Sequence, residues 1–301
     1  MNEGEPLISI ISINYNEPEL TYLFLDSVSK LDYPNLEVII IENASSRPVS
    51  EELVSQHLPG ARVCFASSNG GFGSGNNLGM AAASGDYVFI VNNDTELKAD
   101  LMQQLLLPFL TDQSVGVVCP KILYYDAPDT IQYAGFTAIN ELTGRNRAIA
   151  YREKDLGQYD SGGPTFGAHG AAMLVKKEVI VKAGMFYEPY FLYYEELDWS
   201  CRIRASGFTI YYQPTAVIWH KESMSVGRNS PMKIFYLARN RVLFMKRNSA
   251  GYKYFLFLVY NLAIALPNHS IRYLVHKEFK LFRAFVLGNF RGLLLSPGKK
   301  M

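Results

Sequence analysis

Short apolar runs alternate with stretches of helical spacing through the first 120 positions. The runs predict strands at 7–13, 36–41, 61–66, Tyr87–Val91 and 115–119. Between them, helical spacing covers 17–31, where Leu20, Leu23, Phe24, Val28 and Leu31 share a face, and then 49–58, 75–83 and 100–110. A run such as Tyr-Val-Phe-Ile-Val has no polar alternation, so both of its faces should be covered, as in a parallel sheet between helix layers. The alternation therefore predicts an α/β fold: a three-layer α/β/α sandwich with a mainly parallel sheet and right-handed crossovers.

The beat fails over 120–168, where Pro, Gly, Tyr and charged residues mix without a period; a mobile excursion around a site is expected there. It resumes with a strand at 171–175, helices at 177–183 and 195–205, the latter stopped by Gly207, and strands at 209–212 and 216–219. From Pro231 onward the spacing is helical, over 232–246, 253–266 and 271–286.

Composition changes the picture mainly through charge. Residues 1–227 carry 15 Lys/Arg against 27 Asp/Glu, a balance of −12, whereas 228–301 carry 14 against a single acid, Glu278, a balance of +13. This divides the chain into an α/β domain over 1–227, with a nucleotide-binding half (1–120) and an acceptor or catalytic half (121–227), and a basic amphipathic helical tail over 228–301. Such a tail seeks an anionic partner. Its Phe, Leu, Tyr and Ile favour a membrane surface over nucleic acid; the other uses are packing on the acidic body or forming a homo-oligomer. The apolar segment 254–266 has 13 residues, short of the ~20 needed to span a bilayer, so an interfacial placement is expected. Cys64, Cys119 and Cys201 are widely spaced and odd in number, which excludes a disulfide framework and a zinc–thiolate site and fits a reducing compartment. The acidic opening Met-Asn-Glu-Gly-Glu-Pro does not read as a signal peptide. The expected location is cytoplasmic, peripheral on the inner face of the cell membrane.

The candidate chemistry gathers at strand ends. Tyr87–Val91 stops at Asn92-Asn93-Asp94, which puts a carboxylate where open α/β sheets bind ligands. Asp is a hard donor suited to Mg²⁺ or Mn²⁺ holding substrate phosphates; Asn-Asn-Asp-Thr is also good turn chemistry, and Asp94 could cap a helix. Asn14-Tyr15-Asn16 and Glu42-Asn43-Ala44-Ser45 end the first two strands, offering amides, a carboxylate and a planar ring for a base and ribose. After the third strand, Asn69 to Gly79 holds Gly70, Gly71, Gly73 and Gly75 at a helix start. This is either an anion cradle or a requirement of tight packing. Its spacing fits neither the dinucleotide fingerprint nor a Walker loop.

Taken together, Ser-Ile-Asn-Tyr-Asn at 12–16, Ile-Glu-Asn-Ala-Ser at 41–45, Asn-Gly-Gly-Phe-Gly-Ser-Gly-Asn-Asn-Leu-Gly at 69–79 and Asn-Asn-Asp-Thr at 92–95 resemble family 2 glycosyltransferases of the GT-A fold, in their bacterial rhamnosyltransferase-like branch. The resemblance spans about residues 7–225. It implies a nucleotide diphosphate-sugar donor bound by Asn14, Tyr15, Asn16, Glu42, Asn43, Asn69, Gly71, Phe72, Gly75, Asn76 and Asn93. It also implies that Asp94 ends an Asp-x-Asp-type metal motif whose first position is Asn92, and that His220 joins the metal and diphosphate. Where the family commonly has Asp, this chain has Glu42.

In the second half, Glu195-Glu196-Leu197-Asp198 places three acids at a helix start, among the aromatics Phe191, Tyr193, Tyr194 and Trp199. Direct displacement at an anomeric carbon needs a base for the acceptor hydroxyl, and desolvation by aromatics would raise a carboxylate's proton affinity. Acids in a first turn also suit the helix dipole, and Asp198 can pair with Arg202. In the resembled family the usual base falls on Glu196, with Glu195 and Asp198 beside it; His169 is a weaker candidate for acceptor or diphosphate contact. The reading is an inverting glycosyltransferase acting on a saccharide or lipid-linked acceptor in cell-surface polysaccharide synthesis. The alternatives are a nucleotidyltransferase and a non-catalytic nucleotide-sugar or membrane-binding subunit.

Overall fold

The computed structural model describes residues 4–221 and 230–298. The predicted beat appears as β1 (Ile8–Asn14), α1 (Pro18–Val28), β2 (Leu36–Glu42), α2 (Glu51–His57), β3 (Arg62–Phe65), α3 (Gly71–Ala82) and β4 (Tyr87–Val91). There follow β5 (Thr95–Leu97), α4 (Leu101–Thr111), β6 (Val115–Tyr124), β7 (Ala127–Tyr133), β8 (Gly163–Thr165), β9 (Ala172–Lys176), α5 (Lys177–Ala183), α6 (Glu195–Ala205) and β10 (Thr209–His220). All ten strands join one sheet with the central order β3-β2-β1-β4-β9-β6-β10-β5. The block β3-β2-β1-β4 is parallel, as is the pair β6 and β10, and β9 lies antiparallel between the two. Ile10, Ile11, Ile39, Ile40 and Phe89 are fully buried, as runs without polar alternation require.

Three sequence expectations change. The strand expected at 115–119 runs on to Tyr124, and those expected at 209–212 and 216–219 are one strand. The physical reason is a bulge: the β10 register shifts between Gln213 and Val217, opposite Pro120, so neither Pro120 nor Pro214 has to donate to a regular ladder. The excursion 120–168 is also structured, through β7 on β6 and β8 on β10. Buried Lys121 helps pin it, reaching Asp155 at 2.8 Å and Asp160 at 2.5 Å.

The C-terminal segment forms α7 (Pro231–Asn248), α8 (Gly251–Tyr260), α9 (Leu266–Val275) and α10 (Phe279–Leu294). The break expected after residue 266 is absent. A π turn over Asn261–Ala265 joins α8 to α9, with Leu266 N–H donating to Asn261 O, and the wider turn accommodates the ring of Pro267. The resulting helix, Gly251–Val275, has 25 residues and a mean hydropathy of 1.2, and only 17% of its most apolar window is buried. By length and composition it could cross a membrane, which the 13-residue expectation did not allow.

The expected domain boundary at 227/228 lies outside the described residues. Beyond it, α7 is built into the body: Val242, Leu243 and Phe244 share a buried cluster with Tyr190 and Leu197. α10 lies close against α7, since a Cβ on Gly288 or Gly292 would come within 2.5 Å of Phe235 O or Arg239 O. Part of the basic tail does pair with the acidic body, through Arg247–Asp198 at 2.9 Å and Lys253–Glu141 at 2.7 Å. Arg272, Lys277, Lys280 and Arg283 stay exposed.

Candidate active site

A cavity of about 560 Å³ opens at the carboxyl ends of the parallel strands. From the donor-side expectations it receives Tyr15, Asn16, Asn43, Asn69, Gly71 and Phe72. Asn93, Asp94, His220, Glu195 and Glu196 line it as well, so both halves of the predicted chemistry meet in one space. His169 is there too, stacked on Phe136; its pKa falls to about 3 through burial and the charge of His220.

The remaining predicted donor residues lie behind the wall. Asn14 is fully buried and donates to Glu42 Oε2 at 2.7 Å while accepting from Thr21, which accepts in turn from Asn93 at 2.9 Å. Glu42 also accepts from the backbone N–H groups of Ser45 and Val49, both at 2.9 Å. Its carboxylate is therefore occupied in shaping the β2–α2 turn and does not line the cavity. Asn43, one residue on, does line it: its Nδ2 donates to Asn69 Oδ1 at 3.1 Å, and its Oδ1 is buried without a hydrogen-bond partner among the described residues.

The Gly-rich segment serves packing. A Cβ on Gly75 would lie 2.7 Å from Ile13 Cδ1, and one on Gly79 would lie 2.3 Å from Ile11 Cγ2, so these glycines seat α3 on β1. Asn76 is turned inward, donating to Phe72 O at 3.0 Å. Gly75 and Asn76 are thus corrected from donor contacts to structural residues. Gly71, at φ +80°, lies under Phe191 O, which would be 1.9 Å from an added Cβ. Phe191 O accepts from Phe72 N–H at 2.8 Å and Asn69 Oδ1 accepts from Gly71 N–H at 2.9 Å, so two of the helix's first N–H groups are already engaged.

Strand pairing sets the metal-ligand candidates. β5 folds back on β10 with Thr95 opposite His220, bringing Asp94 Oδ1 to 3.1 Å from His220 Nε2. On its far side His220 Nδ1 meets Gln132 Oε1 at 2.8 Å. An amide oxygen there accepts a hydrogen from Nδ1, which leaves the Nε2 lone pair directed at Asp94 and, at 3.4 Å, at the Asn92 amide. Asp94 and His220 thus bring a carboxylate oxygen and an imidazole nitrogen together at the cavity wall. No cluster of three or more His, Cys, Asp or Glu suited to a metal occurs among the described residues. One carboxylate and one imidazole still fit Mg²⁺ or Mn²⁺, which keep waters and substrate phosphates as their other ligands. Gln132 is a residue that sequence reasoning missed, since nothing in an irregular stretch marks it.

The three acids at the start of α6 separate. Asp198 is fully buried, held by Arg202 at 3.0 Å, Arg247 and Asn248 at 2.9 and 2.8 Å, and Tyr190 at 3.1 Å. Its pKa is lowered by these cations and hydrogen bonds against the opposing effect of burial, and it does not line the cavity. Asp198 is therefore corrected from catalytic candidate to structural anchor of α7. Burial and the charge of Glu196 push Glu195 well above the ordinary carboxylate range, and burial also raises Glu196.

The approach to these acids is a strained turn, with Phe191, Tyr193 and Tyr194 at φ +65°, +69° and +76°. Buried Asn240 of α7 holds the turn, its Nδ2 lying 2.9, 2.7 and 2.7 Å from the carbonyls of Tyr190, Leu192 and Tyr193. Arg239 reinforces it by donating to Pro189 O and Tyr190 O.

Known proteins give a context for this arrangement. The family model for Glycosyl transferase family 2 matches residues 9–182. The chain is 24% identical over 267 residues to the N-acetylglucosaminyl-diphospho-decaprenol L-rhamnosyltransferase of Mycobacterium tuberculosis, covering 82% of this chain and 86% of that one. It is 26% identical over 255 residues to an uncharacterized protein of Sinorhizobium fredii, of which it spans only 28%. Among solved structures, GalNAc-T7 with UDP, GalNAc and Mn²⁺ has the same fold at a TM-score of 0.63 and 14% identity, over 82% of this chain and 48% of that one.

Proposed function

The chain belongs to glycosyl transferase family 2, and on that premise we propose that it moves a sugar, with inversion, from a nucleotide diphosphate-sugar to a hydroxyl of a saccharide or lipid-linked saccharide in cell-surface polysaccharide synthesis. The observation that carries the reading is one cavity holding both the Asp94–His220 pair and Glu196. Asn43 and Asn69 face the base and ribose, with Tyr15 as a planar wall. Asp94 and His220 would hold a divalent ion, which would offset the charge that builds on the leaving diphosphate. Glu196 takes the proton of the acceptor hydroxyl as its oxygen attacks the anomeric carbon and the bond from that carbon to the diphosphate oxygen breaks. Burial, which raises the Glu196 pKa, makes it a stronger base than a solvated carboxylate.

A solved structure of the same fold holds Mn²⁺, which supports a divalent metal, and the name of the mycobacterial relative supports a lipid-linked acceptor. The exposed apolar residues of Gly251–Val275 and the exposed cations from Arg272 to Arg283 support attachment to the inner face of an anionic membrane.

A screen of nucleotide sugars for Mn²⁺-dependent hydrolysis tests the reading. Wild type should release nucleoside diphosphate, and Asp94→Ala should abolish the metal-dependent part. Turnover in chelator equal to that in Mn²⁺ would remove the metal from the proposal, and release of pyrophosphate from a nucleoside triphosphate would replace it with nucleotidyl transfer.

A further inference from the structure

A second cavity, about 400 Å³, lies between the body and the C-terminal helices and touches the first only through Tyr193 and Glu196. Its wall carries donors from Arg241, Arg145 and Asn146 beside tyrosine hydroxyls and the Glu196 carboxylate. Arg241 is 3% exposed and gives Nη2 to Asn261 Oδ1 at 2.9 Å, while its Nε is buried without a partner among the described residues. Asn146 Nδ2 is likewise buried and unpartnered. Arg145 and His269 join them in the wall, and Glu196 is the single acid among the described lining residues. His269 is held below its ordinary pKa by burial and by the charges of Arg145, Arg241 and Arg272, which marks the space as electropositive. Donors of this kind in the wall beside a second guanidinium suit an anion with several acceptor oxygens.

Arg241 is also prepositioned. Asn261 passes its own amide hydrogen to Asn289 at 2.8 Å, and Asn289 donates to Phe285 O at 2.9 Å, so three helices hold the guanidinium in place. The apolar surroundings supply the rest of the ligand's character. α9 presents His269 and Tyr273 to the cavity and leaves Ile271, Leu274 and Val275 exposed.

Building on the proposed function, we infer that this second cavity holds the phosphate or diphosphate of a lipid-linked acceptor, gripped by Arg241, Arg145 and Asn146. The sugar then reaches Glu196 from the side opposite the donor, and the lipid leaves along the apolar surface of α9. A charged group that binds here raises acceptor affinity without touching the donor.

The test is calorimetric binding to the full chain, so it does not depend on knowing donor or sugar. Farnesyl diphosphate, farnesol and inorganic pyrophosphate serve as probes. Farnesyl diphosphate should bind, and Arg145→Ala and Arg241→Lys should each weaken it by roughly ten- to a hundred-fold. Asp94→Ala should leave that affinity unchanged. Arg145 is exposed, so its variant keeps the test valid even if Arg241→Lys fails to fold. Several results would overturn the inference: no binding, farnesol binding as tightly as the diphosphate, or loss on Asp94→Ala with Arg145→Ala unaffected. Pyrophosphate binding as tightly as farnesyl diphosphate would refute the lipid and leave a free-phosphate site. Because donor hydrolysis is measured separately, failure here is distinct from failure of sugar transfer.

Discussion

Asn240→Ala should both destabilise the protein and slow it, because one amide holds the turn that completes the site. The Asn240 Nδ2 group has two hydrogens for three carbonyls, and Arg239 also serves Tyr190 O, so the loss falls on Leu192 O and Tyr193 O. At about 1–3 kcal/mol for each buried acceptor left unsatisfied, and less if water enters, the cost is roughly 2–4 kcal/mol. The same turn keeps Phe191, Tyr193 and Tyr194 in the left-handed region, at about 1–2 kcal/mol each, so a released turn will relax and not hold its shape. Relaxation moves Phe191 O off Phe72 N–H and shifts Glu196, so two walls of the cavity fail together. Differential scanning should show Tm lower by about 4–16 °C, at ~2–4 °C per kcal/mol for a larger domain. Turnover should fall at least ~10-fold with misplaced groups. Asn240→Asp should be worse than Ala, since it turns a donor into a charge facing three carbonyl oxygens. A normal Tm and kcat for Asn240→Ala, or an Asp variant healthier than the Ala one, would refute the clamp.

Glu196→Gln should keep donor affinity and lose ~10²–10⁴ in transfer rate, and the acid limb of the wild-type profile should lie above the ordinary carboxylate range because the Glu196 pKa is raised; a wild-type rate in the Gln variant would move the base elsewhere. For Glu195 the folded pKa lies above the unfolded value near 4.5, so the native state holds the proton more tightly and stability is lost as pH rises from there towards the folded pKa. Glu195→Gln should therefore raise Tm at pH 8 more than at pH 5, and an equal shift at both would contradict the burial argument. Asp198→Asn should lower Tm by unpairing Arg202 and Arg247, whereas a dead enzyme with an unchanged Tm would return Asp198 to the chemistry. Anionic vesicles should pellet the full chain more than neutral ones, and less as salt rises; indifference to lipid charge would leave the tail to packing or oligomerisation.

The sequence was most readable where local pattern and global fold agree. Mostly apolar runs marked β1, β2 and β4, and their polar ends marked Asp94, Asn43 and Tyr15, because a strand's end is a local fact. Which polar residues face the ligand was less legible. Asn14 and Glu42 have the composition of a recognition site, yet their partners, Thr21, Ser45 and Val49, use that chemistry to build the turn. The glycines of α3 could not be assigned without knowing that Ile11 and Ile13 lie beneath them. Asn240, Gln132 and Arg241 left no signal, since each acts on a group far away in the chain. The charge split was real, but a charge count cannot tell that Arg247 pairs inward while Arg283 faces solvent.

The antiparallel β9 also sets a timetable for synthesis. β4, the apolar strand leading to Asp94, pairs with β1 on one side and with β9 on the other, and Val91 meets its partner Ala172 across 81 positions of chain. Translation at about 5–20 residues per second leaves that edge open for roughly 4–16 s after β4 emerges. During that interval Tyr-Val-Phe-Ile-Val is a bare, uncharged strand, the kind of edge on which nascent chains stick to one another. Chains stalled with 172–176 still inside the ribosome should recruit holdase chaperones, and chains stalled some 40 residues later should shed them. The strand that leads to Asp94 is thus a segment that depends on protection until β9 arrives.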